Sequence, residues 1–523
     1  MMPVLLVIGA IVRLRYVFAA PFPLNDGGLF YLMTRELRAN HFVLPAFTSY
    51  NGFRIPFAYP PVGFYVAAAL SALTGMSELT ALRVIPALAT VATLPAFYGV
   101  ARTVLPGRRG ALIALAVFSL IPQSFVWAIM GGGLTRSLGF LFALLAIPPV
   151  LRMYRGGTRG DVALAALFCA LTVLTHAEAT AFLAVSALAA FICFGRSRRG
   201  LIRSALVAVG TVALSAPWWL TILAHHGAAP FVAAGHTSGG LISSVIMLLF
   251  FTITREKLFP LASALALLGL LLCLSRRAYF LPIWLVLIVF ADPRSAARHG
   301  AVPLALLAAY AVTEGLLPLI NRFMSEEEDG GKRARGDRLP LYAGALALYY
   351  LVFLGMNVDP HLLSALPAGE RQAMAWAGEH TPAGSSFLVL TGHDGETLRL
   401  GAIGYPDVPT WADDRSSEWF PALSGRVSAG TPQGREWLSD FDDTQRAYAA
   451  LQRCSQRDAA CLDSWVTKYG TPYTHVYIPL ATTKWKDGPA CCWALWRSLS
   501  EDPGFRIAYQ NDDAMIFERV GEN

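Results

Sequence analysis

Charged residues are scarce. Only 15% of the 523 residues are Asp, Glu, Lys or Arg, against 55% hydrophobic residues, with mean hydropathy +0.48. That scarcity excludes an ordinary soluble protein of this size. Metal-finger spacing is missing too: none of the seven cysteines has histidines at zinc-finger distances. The glycine run at 131–133 lacks the preceding strand and the GK[ST] ending of a nucleotide phosphate loop. It fits a close backbone approach or a turn instead. No internal repeat, paired broken helices or midplane charge network argues for a transporter or flippase.

What is present divides near residue 358. Long apolar runs recur from residue 3 to residue 357, after which Asp, Glu, Trp, Gly and Pro take over. We expect a multi-span membrane domain over 1–358 and a soluble domain over 359–523, long enough to bury its own core. Charge follows the same line. The C-terminal part has 14 basic and 22 acidic residues, a net of −8; the remainder has 28 and 13, a net of +15. The basic residues lie mostly in short loops between spans, so they set orientation and are no sign of a nucleic-acid partner.

The basic loops 105–110, 152–161, 195–200, 275–277 and 325–338 are assigned to the cytoplasm. Eleven spans result: 3–20, 83–104, 110–127, 137–154, 161–175, 177–195, 202–223, 259–275, 279–291, 301–320 and 339–357. Two further apolar runs, 60–75 and 241–254, are short and are read as helices lying on the outer face. With the amino end inside, an odd count puts the C-terminal domain outside. A Cys454–Cys461 disulfide suits that compartment, whereas Cys169, Cys193 and Cys273 fall within spans and read as small hydrophobes. Arg13 and Arg15 lie inside the first span, and no basic residue precedes it.

This topology gathers the unusual residues on one face: loop 21–82, AIMGGGLTR at 128–136, HAE at 176–178, DPRSAARHG at 292–300 and the C-terminal domain. Ionisable groups at a membrane edge are costly and default to function. Asp26 follows an apolar span carrying LRY at 14–16, and an amphipathic helix and YPP at 59–61 come after it. The pattern resembles the GT-C superfamily of membrane glycosyltransferases. YPPVGFY with ALRVIPAL at 81–88 is similar to oligosaccharyltransferase catalytic subunits; WAGEHTPAGSSFLVLTG at 376–392 is similar to the start of their external domain. EWFPALSGR at 418–426 is similar to a block in bacterial GT-C-like proteins. The likeness covers most of the chain in layout but only short motifs in residues.

With the resemblance, the eleven spans read as a GT-C-like polytopic α-helical fold, and the β-like runs 385–392, 474–480 and 514–520 with the helical stretches 371–379 and 444–454 make the extracytoplasmic domain α/β. The resemblance also implies transfer of a sugar from a polyprenyl-phosphate carrier to a protein, polysaccharide or glycolipid acceptor at the outer face of the cytoplasmic membrane. Asp26 takes the place of the essential acid and would serve as general base. Oligosaccharyltransferases also hold a divalent metal with an acidic pair in the second external loop. That loop has no carboxylate here, and Arg136 stands where an acid would. No cofactor is called for by these residues, and a divalent metal stays an open alternative. Protein O-mannosyltransferases, which the chain also resembles, work without one.

Arg54, Arg83, Arg136 and Arg294 are candidates to bind the donor phosphate. His176, Glu178 and Asp292 are further candidates at the membrane edge. Trp411, Glu418 and Trp419 lie in a loop-rich stretch suited to folding over the site and meeting the acceptor. Each has a structural alternative. Asp26 can cap the following helix, Arg136 can reach headgroups, His176 and Glu178 can bind loop backbone, Asp292 and Arg294 can pair, and the tryptophans can be core. His225, His226 and His236 have no spacing that ties them to a metal. Beside the enzyme stands a catalytically silent GT-C-like assembly subunit, which the missing acidic pair keeps open.

Overall fold

The computed structural model describes residues 1–235, 241–254, 256, 260–320, 322, 363–392, 411, 414–480 and 492–520. Of the eleven expected spans, six form helices long and apolar enough to cross a membrane: Met2–Ala19 (α1), Glu78–Val104 (α4), Gly133–Tyr154 (α6), Ala177–Gly195, Arg198–His226 (α9) and Ala296–Ile320. The fourth and sixth of these begin as regular helices Ala177–Ala190 (α8) and Ala296–Ala311 (α14). A multi-pass membrane protein is the consequence.

The other expected spans differ for identifiable reasons. Gly107–Leu120 (α5) bends by 86° into Pro122–Ala128, because Pro122 cannot continue the ladder of backbone hydrogen bonds. Arg159–Val173 (α7), Leu261–Ser275 (α12) and Phe280–Ala291 (α13) have 15, 15 and 12 residues. At about 1.5 Å per residue they reach roughly 18–22 Å, short of a hydrocarbon core of about 30 Å. The run at 339–357 lies outside the described residues. The chain marks these helix starts itself: Ser77 accepts from the Thr80 amide, Ser197 accepts from the Gly200 amide, and Thr158 with Asp161 closes a capping box.

Helices α4, α5, α6 and α14 pack around one apolar core, where Phe97 stacks on Phe118 with ring centroids 4.1 Å apart. Arg13 is fully buried against this bundle. Its guanidinium donates to the Ser119 carbonyl at 2.8 Å and to Ser124 Oγ at 3.0 Å, satisfying groups left open where α5 ends.

Between α1 and α4 the chain leaves the bundle. It forms Gly28–Ala39 (α2), a two-strand ribbon of Phe47–Thr48 (β1) and Ile55–Pro56 (β2), and Val62–Thr74 (α3). The run at 241–254 contains the short helix Leu241–Leu249 (α11), preceded by Ala229–Gly235 (α10).

The C-terminal residues form a five-stranded mixed sheet. Its strands are Ser386–Val389 (β3), Val427–Ala429 (β4), His475–Pro479 (β5), Phe505–Gln510 (β6) and Ala514–Arg519 (β7). The order is β4-β3-β5-β7-β6, parallel at β3–β4 and β3–β5 and antiparallel elsewhere. Ala368–His380 (α15), Arg415–Ser424 (α16), Phe441–Arg453 (α17), Ala459–Tyr469 (α18) and Trp493–Glu501 (α19) accompany it. Cys454 and Cys461 are joined by a disulfide.

This sheet does not stand apart from the membrane part. Leu29, Phe64 and Leu134 share one apolar core with Phe387, Trp419, Phe420 and Tyr477. Helix α16 lies directly on α2. Asn51 on the first loop exchanges two hydrogen bonds with the Ser428 backbone, at 2.9 and 2.6 Å. That docking positions the site.

Candidate functional site

Asp26 sits just before α2, held from two sides. The Gly132 amide donates to its Oδ1 at 2.9 Å, and Arg136 on α6 forms an ion pair with its Oδ2. A Cβ at Gly132 would meet Asp26 Oδ2 at 2.5 Å and the Arg136 guanidinium as well, so a larger residue there would push these two side-chain ends aside. Arg136 is itself fixed, donating to the Gly132 carbonyl at 3.1 Å and the Trp127 carbonyl at 3.2 Å. Both charged side chains stay partly reachable, Asp26 at 17% and Arg136 at 14% exposure.

Helix α16 brings in the C-terminal residues. Glu418 Oε1 accepts from the Gly27 amide at 2.9 Å, next to Asp26 in the chain, and the Trp419 indole donates to the Asn25 carbonyl at 2.8 Å. The Tyr50 hydroxyl donates to the Glu418 carbonyl at 2.7 Å. Burial, then the Asp26 carboxylate, pushes the Glu418 carboxyl up to about 8. Trp419 is fully buried and meets Phe22 edge-on.

A second group forms where α8 and α14 begin. Glu178 accepts from Arg298 at 2.7 Å and from Ser295 Oγ at 2.5 Å, and Arg294 approaches it at 3.8 Å. Arg294 lies over the Trp411 ring, 5.9 Å from its centroid. Asp292 Oδ1 accepts from the Ser295 amide at 3.3 Å. Burial and then Glu178 push the Asp292 carboxyl up to about 6. Glu436, raised by burial, and Tyr59 both feel the Arg294 charge. His176 caps α8, its Nδ1 accepting from the Ala179 amide at 3.3 Å, and it lies within electrostatic reach of Arg136, Arg294 and Arg298. It therefore stands between the two groups.

The structure thus brings together Asp26, Arg136, Glu418 and Trp419 on one side, and Glu178, Asp292, Arg294 and Trp411 on the other, with His176 between. Arg83 goes elsewhere: it donates to the Val17 carbonyl at 3.2 Å and to the Ala20 carbonyl, closing the end of α1. Arg54 is exposed and lies over Phe47, 4.7 Å from the ring centroid. His226 binds the Ala46 carbonyl at 2.7 Å, and His236 lies outside the described residues.

Sequence reasoning missed Arg298, Ser295, Glu436, Tyr50 and Tyr59. Arg298 had a signal, since it stands in the same DPRSAARHG run as Arg294. Ser295 stands in that run too, and Tyr59 in the YPP at 59–61; Tyr50 and Glu436 carry no signal, and only the docking of α16 and its following loop brings them in.

A divalent cation does not fit these residues. The Arg136 guanidinium paired with Asp26 sets a positive charge where a cation would have to bind. Among the described residues no group of three or more His, Cys, Asp or Glu is arranged to hold a metal.

This order of helices, with an acid-bearing first loop and a C-terminal sheet docked on it, is similar in fold to GT-C membrane glycosyltransferases of known structure. Three solved structures give that likeness its particulars. The archaeal oligosaccharyltransferase AglB from Archaeoglobus fulgidus, in complex with an inhibitory peptide and a dolichol-phosphate, is similar at TM-score 0.56 and 16% identity, over 92% of this chain and 69% of that one. ArnT from Cupriavidus metallidurans, bound to undecaprenyl phosphate, is similar at TM-score 0.56 and 14% identity, over 98% of this chain and 97% of that one. The arabinofuranosyltransferase AftD from Mycobacteria is similar at TM-score 0.54 and 15% identity, over 99% of this chain and 40% of that one. A scan against protein-family models and a search of curated proteins each found no match.

Proposed function

We propose that this protein is an integral-membrane glycosyltransferase that moves a sugar from a polyprenyl-phosphate carrier to an acceptor at the outer face of the cytoplasmic membrane. The observation that carries the reading is the placement of Asp26: a partly reachable carboxylate at the head of the first loop, paired with the Arg136 guanidinium, in a fold similar to GT-C glycosyltransferases. In this reading residues 1–358 are the membrane glycosyltransferase part, of about eleven spans. Residues 359–523 are an extracytoplasmic α/β domain docked on the first loop. The Cys454–Cys461 disulfide supports that side, because such bonds persist in oxidising compartments.

The chemistry follows from the residues. The bond between the sugar C1 and the phosphate oxygen breaks with an oxocarbenium-like transition state. The acceptor hydroxyl oxygen bonds to C1, its proton passes to Asp26, and the carrier leaves as the lipid phosphate. Each Asp26 oxygen has one protein partner and keeps a lone pair for that proton. Arg136, Arg294 and Arg298 supply fixed positive charge for the departing phosphate.

One observation favours the alternative of a catalytically silent subunit: the Asp26 carboxylate is already neutralised by Arg136. Asp26→Asn separates the two. Cells lacking the gene are complemented with wild type or variant, and their lipids and glycans are compared by mass spectrometry. The enzyme reading expects normal membrane levels with product down by about 10²–10⁴-fold. Product at the wild-type level removes Asp26 from the mechanism.

A further inference from the structure

Asp26 lies between two residues of positive φ: Asn25 at +50° and Gly27 at +131°. Glycine takes such angles freely; among residues with a Cβ, asparagine is one of the few that visits the left-handed region routinely. Asn25 is also buried, an unusual setting for that residue type. Its contacts reach far along the chain. Its amide donates to the Ser364 carbonyl at 2.9 Å, its side-chain Oδ1 accepts from the Ser364 amide at 3.3 Å, and its carbonyl accepts from the Trp419 indole at 2.8 Å. Leu24 forms an isolated antiparallel bridge with Ala365 beside them. From the other side the Gly131 amide donates to the Leu24 carbonyl at 2.9 Å, and the Gly132 amide to Asp26 Oδ1 at 2.9 Å. The turn that carries Asp26 is thus clamped between C-terminal residues and the loop before α6. Asn51 repeats the device on the same first loop: φ is +56°, the residue is buried, and it exchanges its two hydrogen bonds with the Ser428 backbone in β4.

We infer that Asn25 is a positioning residue: by tying a left-handed turn to the Ser364 backbone it fixes the Asp26 carboxylate against the Gly132 amide and Arg136. The inference rests on the reading of Asp26 as the base and adds what aims it. Two requirements meet at this position. The positive φ disfavours any residue with an ordinary Cβ, and glycine would satisfy it. The bond from the Ser364 amide needs a side-chain acceptor, which glycine lacks. Asparagine meets both. In a turn that served only itself, the asparagine side chain would bond backbone two residues on. Asn25 instead bonds a backbone amide 339 positions later, where the chain enters the C-terminal domain. The conformation at the base is therefore fixed by the docked domain and not by the first loop alone. Asn51 grips a different part of that domain and serves as an internal comparison.

The test uses the full chain in lipid nanodiscs and amide hydrogen exchange read by mass spectrometry, beside glycan mass spectrometry of complemented cells. Asn25→Gly keeps the φ and removes the acceptor; Asn25→Ala opposes the φ as well. In Asn25→Ala the Gly132 amide is expected to exchange about tenfold faster, the factor that a left-handed backbone costs a residue with a Cβ. Product is expected to fall by about 10²-fold, as for a base misplaced by about 1 Å. Asn25→Gly is expected to speed exchange at Ser364, leave Gly132 protected and hold product within about tenfold of wild type. Glycine outperforming alanine is the mark of the turn, since a side chain that only filled space would lose more with glycine. Asn51→Ala is expected to lower the melting temperature with Gly132 exchange at the wild-type rate. Should Asn25→Ala fail to accumulate in the membrane, Asn25→Gly decides by the same two readouts. Product at the wild-type level in Asp26→Asn would remove the base, and the exchange rates would still judge the positioning. Wild-type Gly132 exchange in Asn25→Ala, glycine no better than alanine, unchanged Ser364 exchange in Asn25→Gly, or equal opening of Gly132 in Asn51→Ala overturns the inference.

Discussion

Gly28→Ala is a one-carbon change at the first residue of α2, outside the charged groups. An added Cβ would lie 2.6 Å from the Glu418 carbonyl oxygen and 3.1 Å from Trp419 Cα, both backbone atoms of α16. Neither can rotate away as a side chain would. Ordinary contact begins near 3.4 Å, so α16 must withdraw by about 0.8 Å, the difference between 3.4 and 2.6. The Gly27–Glu418 hydrogen bond is 2.9 Å long, and a shift of that size away from α2 carries it beyond hydrogen-bonding distance. Glu418 is buried, so the orphaned carboxyl costs roughly 1–3 kcal/mol. A misplacement of about 1 Å in a catalytic arrangement costs about 10²-fold in rate. We therefore expect Gly28→Ala to lower the melting temperature by several degrees and product by about 10²-fold, with Asp26 and Arg136 untouched. The assay is thermal melting of the purified full chain beside glycan mass spectrometry of complemented cells. Wild-type product from Gly28→Ala would refute the reasoning, because the α2–α16 contact would then have no part in building the site.

Two further outcomes follow from the same geometry. Glu418 is held up to about 8, so it is neutral near pH 7 and ionises above, adding a second negative charge beside Asp26. Wild-type transfer should fall as pH rises through 8, while Glu418→Gln keeps the rate at pH 7 and loses that limb; a limb that persists in the variant belongs to another group. The sign for stability is fixed too. A folded pKa above the ordinary 4.5 gives a contribution fully present below pH 4.5 and lost as pH climbs to about 8, so wild type should lose melting temperature relative to Glu418→Gln across that window. Finally, the Cys454–Cys461 bridge closes a loop of sequence separation 7, for which chain entropy gives roughly 2 kcal/mol. Cys454→Ser should lower the melting temperature in step with added reductant on wild type, and equal melting in all three samples would mean that the cysteines are reduced in the native protein.

Much of the layout was legible because helices crossing lipid must satisfy their own backbone and end at capping residues or prolines. The apolar run at 110–127 reads as one span, and only Pro122 hints at the 86° bend that divides it. In the site, Asp26 and Arg136 were legible because a charge beside a long apolar run needs a reason. The same logic nominated Arg83, whose reason is to close α1. Sequence cannot tell a guanidinium that binds a substrate from one that binds a helix end, since both are charges at a membrane edge. Tyr50 and Glu436 were beyond sequence for another cause. They reach the site only because Asn51 and Gly28 let residues some 370–390 positions later dock on the first loop.

The charge balance of the site shows what that docking does. Three guanidiniums, Arg136, Arg294 and Arg298, face five carboxyls, Asp26, Glu178, Asp292, Glu418 and Glu436. Fully ionised, the set would carry −2 and repel an anionic phosphate. Burial lessens this, because it holds Glu418 up to about 8, neutral near pH 7, and also raises Asp292, to about 6, and Glu436. With Glu418 neutral the set carries −1, and each proton held by Asp292 or Glu436 makes it one unit more positive. The local field at the guanidiniums therefore depends on how tightly α16 and its following loop cover the first loop as well as on composition. Uncovering Glu418 would return its carboxyl toward its ordinary range and make that field more negative, even with every arginine in place.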